Sequence, residues 1–157
     1  MFPHSEVPAN ERSPRRVVTG LDSKGRSFIL FDDFAKLVIW DAAQLPAENG
    51  GTADLGGGTF RFPTAGVEFV FTDFPPGRST PMHATDTLDF IVIVSGSITF
   101  ITETSETLLC AGNVLVDRGV MHAWRNDGDQ NCRIVNVLCP ATPVGRGATV
   151  AGVLGIS

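Results

Sequence analysis

Short β-prone segments, each ended by a turn sequence, follow one another through the second half of this chain. Between positions 67 and 139, runs rich in Val, Ile, Phe and Thr are interrupted by Gly, Pro, Asn or Asp at intervals of about 8–12 residues. No run longer than about ten residues shows the 3.6-residue period of a helix. The pattern predicts an all-β sandwich or barrel, with strands over 67–74, 88–94, 98–102, 107–110, 114–116, 121–125 and 131–139.

The first half of the chain also predicts β-strands, although fewer of them. Residues 15–20 and 26–31 are β-prone and flank a turn sequence, Asp22 to Gly25, which indicates a hairpin, and 36–40 is a further short strand. Residues 45–66 are Gly-rich and loop-like, and we interpret this long connection as a lid over the mouth of a pocket. The domain organisation we predict is a flexible arm over 1–14, a barrel over 15–140 and a tail over 141–157 that packs on the barrel.

The composition supports one folded domain and excludes several partners. Of the 157 residues, 43% are hydrophobic and 18% are charged, a balance that sustains one core. The net charge is −5 and the basic residues form no run, so we expect no nucleic-acid partner. No apolar stretch reaches about 18 residues, so we expect no membrane partner. The polar N-terminus lacks the features of a signal peptide, and three cysteines without CxxC spacing do not suggest disulfides, so we predict a cytoplasmic protein.

Two histidine-containing segments carry a specific pattern of spacing. The first, residues 77–96, contains Gly77, His83, Thr85, Thr87, Asp89 and Gly96. The second, residues 112–126, contains Gly112, Asp117, Gly119, His122, Trp124 and Asn126. This pair resembles the two motifs of the cupin superfamily, with Thr85 in place of a second motif histidine and Asp89 in place of a glutamate. The resemblance implies a cupin double-stranded β-helix, or jelly-roll barrel, here with an N-terminal β extension.

The order His-x-Thr-x-Thr-x-Asp and then Arg-Gly-x-x-His-x-Trp-x-Asn is similar to one subgroup of small single-domain cupins. Members of that subgroup lie in fungal polyketide gene clusters, including clusters of the salicylaldehyde type, and several are labelled cupin-domain oxidoreductases. The resemblance implies a tailoring enzyme of secondary metabolism that acts on a polyketide-like or aromatic intermediate. It also implies a small hydrophobic or aromatic substrate and a homodimer, because cupins often pair through sheet faces and N-terminal arms.

Alternation along a strand places residues two apart on one face, so the polar residues of each motif share a face. If the motif strands are neighbours, as the cupin fold requires, these faces converge on one cavity. The catalytic residues we predict are His83, Asp89 and His122. The substrate-binding residues we predict are Thr85, Thr87 and Trp124.

Two imidazoles and one carboxylate are also a ligand set for one divalent Fe, Mn, Zn or Ni ion, so His83, Asp89 and His122 are candidate metal ligands. Thr85 removes one nitrogen ligand, however, and Asp in place of Glu withdraws the carboxylate by about 1.5 Å. Without a metal the same groups suit acid–base catalysis of dehydration, cyclisation or aromatisation. Three functions stay open: an acid–base lyase or isomerase, a metal-dependent cupin oxidoreductase or oxygenase, and a non-catalytic binding cupin. Arg118 is a candidate contact for a substrate carboxylate at the barrel mouth.

Overall fold

The computed structural model describes residues 13–144, and every regular element in this range is a β-strand. The strands are β1 (Arg15–Leu21), β2 (Ser27–Phe34), β3 (Val38–Ala42), β4 (Val67–Phe74), β5 (Thr87–Ser95), β6 (Ser97–Thr102), β7 (Glu106–Cys110), β8 (Val114–Asp117), β9 (His122–Arg125) and β10 (Cys132–Pro140). The all-β prediction is therefore confirmed. The predicted arm and tail fall largely outside the described residues.

The strands form two main antiparallel sheets and a separate hairpin. One sheet has the order β3-β4-β10-β5-β8, the other has the order β7-β6-β9, and β1 pairs only with β2. Apolar side chains from both main sheets meet in one buried cluster, which includes Phe74, Ile93, Ile98, Trp124 and Ile134. Because every element between residues 13 and 144 is a strand or a connection, this part of the chain holds no helix long and apolar enough to cross a membrane.

Strand β5 shows the alternation that creates both an interior and an outer face. Thr87, Asp89, Ile91 and Ile93 are buried, whereas the residues between them are more exposed. The outward Phe90 pairs with Val116 on β8, and the inward Asp89 pairs with Asp117. One strand therefore supplies carboxyl chemistry to the interior and apolar surface to the exterior.

The long connection between β3 and β4 lies against the barrel. The Gly57 amide donates to the Val38 carbonyl at 2.8 Å, and the Asp41 amide donates to the Leu55 carbonyl at 3.0 Å. The rings of Phe60 and Phe62 are 5.1 Å apart, edge to face, and both pack against a buried cluster formed by Val38, Val70 and Leu138. The connection thus forms part of the wall around the interior, and opening of this segment as a lid stays a prediction.

Candidate active site

A cavity of about 500 Å³ opens between the two main sheets and the β3–β4 connection. Its walls are largely apolar, and the contributing side chains include Phe60, Phe62, Phe74, Ile91, Trp124 and Leu138. Its polar side chains include His83, Thr85, Asp89, Asp117, His122 and Asn136. The volume lies within the range of about 300–1,000 Å³ that is usual for small-molecule sites.

The two motif histidines are joined directly through their backbones. The His83 amide donates to the His122 carbonyl at 2.9 Å, and the His122 amide donates to the His83 carbonyl at 2.8 Å. This antiparallel bridge extends a pairing between residues 77–83 and β9, and it places the two imidazole centroids 4.4 Å apart. The predicted convergence of His83 and His122 is therefore what the structure has, and the reason is backbone pairing between the two motifs.

Both imidazoles are oriented by the carbonyl two residues earlier in the chain. His83 Nδ1 lies 2.8 Å from the Pro81 oxygen, and His122 Nδ1 lies 2.8 Å from the Val120 oxygen. A carbonyl oxygen only accepts, so each Nδ1 donates its proton, and in the neutral ring the lone pair lies on Nε2. Two basic nitrogen atoms thus remain unused by the backbone.

A second carboxyl group lies opposite the predicted Asp89. Asp117 is the cross-strand partner of Asp89, and both side chains are almost fully buried. Asp117 Oδ1 accepts from the Gly119 amide at 3.1 Å and the Val120 amide at 3.4 Å, while Oδ2 lies 3.1 Å from His122 Nδ1. Gly119 has a φ of 73°, and a Cβ there would lie 2.5 Å from the Thr85 oxygen, so the turn that holds Asp117 favours glycine.

Asp89 has a different set of partners. Its Oδ2 accepts from Asn136 Nδ2 on β10 at 3.1 Å, and its Oδ1 has no hydrogen-bond partner among the described residues. Burial raises the pKa of Asp89, contacts with Thr87 and Asn136 oppose the rise, and the charge of Asp117 adds to it. Burial also raises the pKa of Asp117, but the amides of Val120 and Gly119 oppose that rise. Asp117 is therefore the better stabilised carboxylate, and Asp89 is the better proton carrier.

Burial also keeps the imidazoles neutral. It lowers the pKa of His122 and of His83, in each case against the effect of the neighbouring carbonyl. A charge on His122 lowers the pKa of His83 further. The pair is consequently suited to carry a single added proton at a time.

The three predicted substrate-binding residues do not all line the cavity. Thr85 lines the cavity, and its buried hydroxyl has no partner among residues 13–144. Trp124 lines the cavity as well and packs against Phe100, with ring centroids 4.8 Å apart. Thr87 is buried, but it lies behind the residues that form the cavity surface and is adjacent to Asp89 instead. Of the three, Thr85 and Trp124 are placed to meet a ligand.

Three residues at the cavity were missed or misplaced by the sequence analysis. Asp117 was noted only as a substitution at a motif position, although its cross-strand pairing with Asp89 depends on a register that spacing does not reveal. Asn136 is a polar residue within the apolar run IVNVL, and that interruption was a usable signal. Arg118 is exposed and does not line the cavity, whereas Arg78 does.

The predicted metal site requires three donor side chains around one point. Within residues 13–144, no group of three or more His, Cys, Asp or Glu side chains has an arrangement that could hold a metal ion. Asp89, the predicted third ligand, accepts a hydrogen bond from Asn136 through one oxygen and lies opposite a second carboxyl group. Thr85 occupies the motif position of a second histidine, and its side chain supplies no nitrogen ligand. The described residues therefore do not fit the predicted three-ligand metal site.

An all-strand fold with two histidine motifs around an interior site is typical of cupins, and the comparison with known protein families agrees. Residues 70–138 match the family Cupin_2, described as a cupin domain. This segment contains both histidine motifs and is similar to a cupin domain, in agreement with the predicted double-stranded β-helix.

Fungal proteins, some of them named for biosynthetic clusters, are among the relatives of the chain. It is 29% identical over 161 residues to the cupin-domain-containing oxidoreductase srdB of Neurospora crassa, covering 90% of this chain and 82% of that protein. It is 33% identical over 98 residues to the phomopsin biosynthesis cluster protein D of Diaporthe leptostromiformis, covering 60% of this chain and 52% of that protein. It therefore spans most of the first relative and about half of the second. Among solved structures, a cupin 2 conserved barrel protein from Salinispora arenicola is 19% identical, with a TM-score of 0.45 over 53% of this chain and 71% of that one.

Proposed function

We propose that this cupin is an enzyme of secondary metabolism that moves protons on an apolar or aromatic small molecule, in a dehydration, cyclisation or aromatisation step. The observation that carries the proposal is the meeting of two unlike carboxyl groups with two neutral imidazoles in one buried cavity. The names of the relatives support the setting in fungal biosynthetic clusters. The acid–base chemistry rests on the residues themselves.

His122 is the general base in this proposal. Its Nδ1 donates to the Val120 carbonyl, so its Nε2 is free to take a proton. When Nε2 gains that proton, the Asp117 carboxylate beside Nδ1 stabilises the imidazolium that results. Such a base removes a proton from a carbon next to a carbonyl group.

Asp89 is the general acid. Its raised pKa favours the protonated form, and its Oδ1 is not used by another described residue. In a dehydration, the C–H bond breaks as Nε2 of His122 takes the proton, and the C–O bond breaks as Asp89 gives a proton to the leaving hydroxyl. A C=C bond forms and one water departs. Transfer of the proton from His122 back to Asp89, through the cavity, restores both groups.

The apolar walls favour a substrate with a flat unsaturated body. Phe74 and Trp124 line the cavity with ring centroids 5.9 Å apart, whereas Phe100, which packs on Trp124 and on the His122 ring, is not part of the lining. A charged or sugar-like body would leave its polar groups without partners on these walls, at a cost of roughly 1–3 kcal/mol for each. An aromatic or polyene intermediate avoids that cost.

The proposal is tested with deuterium exchange into a β-hydroxy aryl ketone in heavy water. The wild-type protein should exchange the proton next to the carbonyl and release water, whereas His122→Asn should be slower by about 100-fold or more. Asparagine preserves a donor near the Val120 carbonyl and removes only the basic Nε2. Glu103→Gln, at an exposed position after β6, is the control and should exchange at the wild-type rate.

Retention of exchange by His122→Asn would overturn the assignment of the base. Absence of exchange in both proteins, combined with tight binding of the ketone, would instead favour the non-catalytic binding cupin.

A metal-dependent oxidoreductase is the second candidate, because several relatives are named cupin-domain-containing oxidoreductases. Elemental analysis of untagged protein discriminates the two. Near-stoichiometric metal that falls away in His122→Asn, together with oxygen consumption in the presence of substrate, would support the oxidoreductase. Full isotope exchange by protein treated with a chelator would support the acid–base enzyme.

A further inference from the structure

Arg78 lies at the mouth of the cavity on a turn that is tied to the barrel. The Arg78 amide donates to the Pro75 carbonyl at 3.1 Å, and Gly77 has a φ of 77°, as a type II turn with Pro76 and Gly77 at its centre requires. The Gly77 amide donates to the Asn126 carbonyl, and the Asn126 amide donates to the Arg78 carbonyl, both at 2.9 Å. These bonds attach the turn to the end of β9.

The Arg78 guanidinium is also held in place. Its Nη1 donates to the Asp73 carbonyl at 2.9 Å, and its central carbon lies 5.1 Å from the centroid of the Phe74 ring. Both Asp73 and Phe74 line the cavity. A guanidinium has five N–H groups in one plane, so most of its donors remain for another acceptor.

The charge of Arg78 has no carboxylate partner among the described residues. The arginines that do have ion pairs there are Arg15, Arg16, Arg26, Arg61, Arg125 and Arg133. The Asp73 carboxylate nearby is engaged by Arg133 at 2.7 and 2.8 Å and by Asn131 at 3.0 Å. Apart from the two histidines, Arg78 is the one basic side chain on the cavity lining in residues 13–144.

We infer that Arg78 binds a carboxylate carried by the substrate, at the opposite end of an apolar body from the atoms that react at His122. A planar guanidinium matches a carboxylate through two parallel hydrogen bonds, and a single cation is matched in charge by a single carboxylate. A phosphate dianion would call for further cations, and the lining of the described cavity has none.

The inference deepens the proposed function and rests on it for the position of the reacting atoms. The substrate class becomes an aromatic or unsaturated compound that carries a carboxylate in addition to the group that reacts. Its carboxylate lies at the mouth beside Phe74, its body between the aromatic walls, and its reacting carbon near the polar end. Binding in this one direction lets Arg78 set which carbon meets His122.

Calorimetric titration with 2-naphthoate and its neutral counterpart 2-naphthamide tests the inference without any turnover. The wild type should bind the acid about tenfold more tightly than the amide, because only the carboxylate forms charge-assisted hydrogen bonds with the guanidinium. Arg78→Gln should reduce this preference to less than about twofold, and Arg78→Lys should retain part of it. Arg118→Gln, which removes an exposed arginine outside the cavity, should keep the full preference.

Equal binding of acid and amide by the wild type would overturn the inference, and so would failure of both probes to bind. An equal loss in Arg118→Gln and Arg78→Gln would indicate general attraction of anions instead, which also contradicts it. If His122→Asn keeps the preference for the acid but abolishes isotope exchange, both proposals stand. If it keeps the preference and still catalyses exchange, only the acid–base assignment fails.

Discussion

Asp89 and Asp117 lie directly opposite one another on β5 and β8, with side chains that are 5% and 2% exposed. Two neighbouring carboxylates that are buried away from solvent repel one another strongly when both are ionised. The structure distinguishes them by their partners, because Asp117 accepts from two backbone amides, while Asp89 accepts from one side-chain amide. The two positions should therefore respond differently to the same Asp→Asn change.

Asp89→Asn should reduce the rate of water release by about 100-fold or more without reducing the free energy of unfolding. The amide cannot give a proton to the leaving hydroxyl, but its oxygen still accepts from Asn136, and one of two opposed carboxyl groups is gone. Kinetics of water release and urea unfolding near pH 8 provide the two readings. A large loss of stability would mean that Asp89 has a structural role instead.

Asp117→Asn is the matched comparison, and it should lower stability. If its oxygen keeps the Gly119 and Val120 amides, its NH2 group lies beside the Nδ1–H of His122, which places two N–H groups close together and costs roughly 1–3 kcal/mol. We expect reduced activity and a lower urea midpoint together. If Asp117→Asn proved as stable as Asp89→Asn, the contact with His122 would carry no weight.

Glu68→Gln should stabilise the protein at neutral pH. Glu68 is completely buried and burial raises its pKa above the usual 4.5, so the folded state disfavours the ionised form. Below about pH 4.5 the group is protonated in both states and has no effect, whereas above it the unfolded state gains by ionising. Urea unfolding of Glu68→Gln and wild type should therefore differ near pH 8 and converge near pH 4. Glu103→Gln, on the exposed turn after β6, is the control, and a pH-independent difference for Glu68→Gln would contradict the prediction.

Asp54→Asn should loosen the β3–β4 connection. Arg16 is buried and binds Asp33 and Asp54 through paired hydrogen bonds of 2.6–2.8 Å, and this contact lowers the pKa of Asp54 to about 2. Its contribution is present above about pH 4 and is lost as the pH falls through about 2. Hydrogen exchange should show faster exchange of the Gly57 amide in Asp54→Asn, by roughly tenfold. Asp32→Asn, which breaks the exposed pair with Arg15, should leave that amide unchanged, and a similar acceleration in both variants would refute the role of Asp54.

The predicted homodimer would use the outer face of β5 and β8. Val114 is 70% exposed and Val116 is 55% exposed, and they pair across the strands with Val92 and Phe90. A contiguous apolar face is uncommon on a monomer, and a two-fold axis would cover it with the same face of a second copy. Sedimentation velocity should show a dimer for the wild type and a monomer for Val114→Lys. Thr107→Lys on β7 is the control, and a monomeric wild type would exclude this interface.

The strands could be predicted well from sequence because their signals are local. Each predicted segment from 67 to 139 corresponds to an observed strand, with ends that differ by at most a residue or two, since Gly, Pro and Asp-containing turns mark them. The convergence of His83 and His122 could also be predicted, although only through the resemblance to a family. Their actual contact is a pairing between an irregular segment and a four-residue strand, which no periodicity indicates.

The remainder of the site depended on distances between strands that are far apart in sequence. The partnership of Asp89 with Asp117 and with Asn136 spans up to 47 residues and depends on the registers of β5 against β8 and β10. Thr87 follows the alternation that was predicted, yet the strand begins at that residue and its side chain lies beyond the cavity surface. Sequence spacing likewise does not show that Arg78, and not Arg118, lines the cavity, because this depends on which turn faces the cavity mouth.

Because side chains along β5 alternate between the interior and the outer surface, the chemistry of the cavity depends on the register of this strand. A slip of one position against its neighbours would carry Phe90 into the cavity and bring Asp89 to the outer surface. The acid would be lost from the interior and a charge would appear on the apolar exterior in the same event. Single-residue insertions or deletions near β5 should thus be far more harmful than substitutions within it, and a mispaired chain is disfavoured on both of its faces at once.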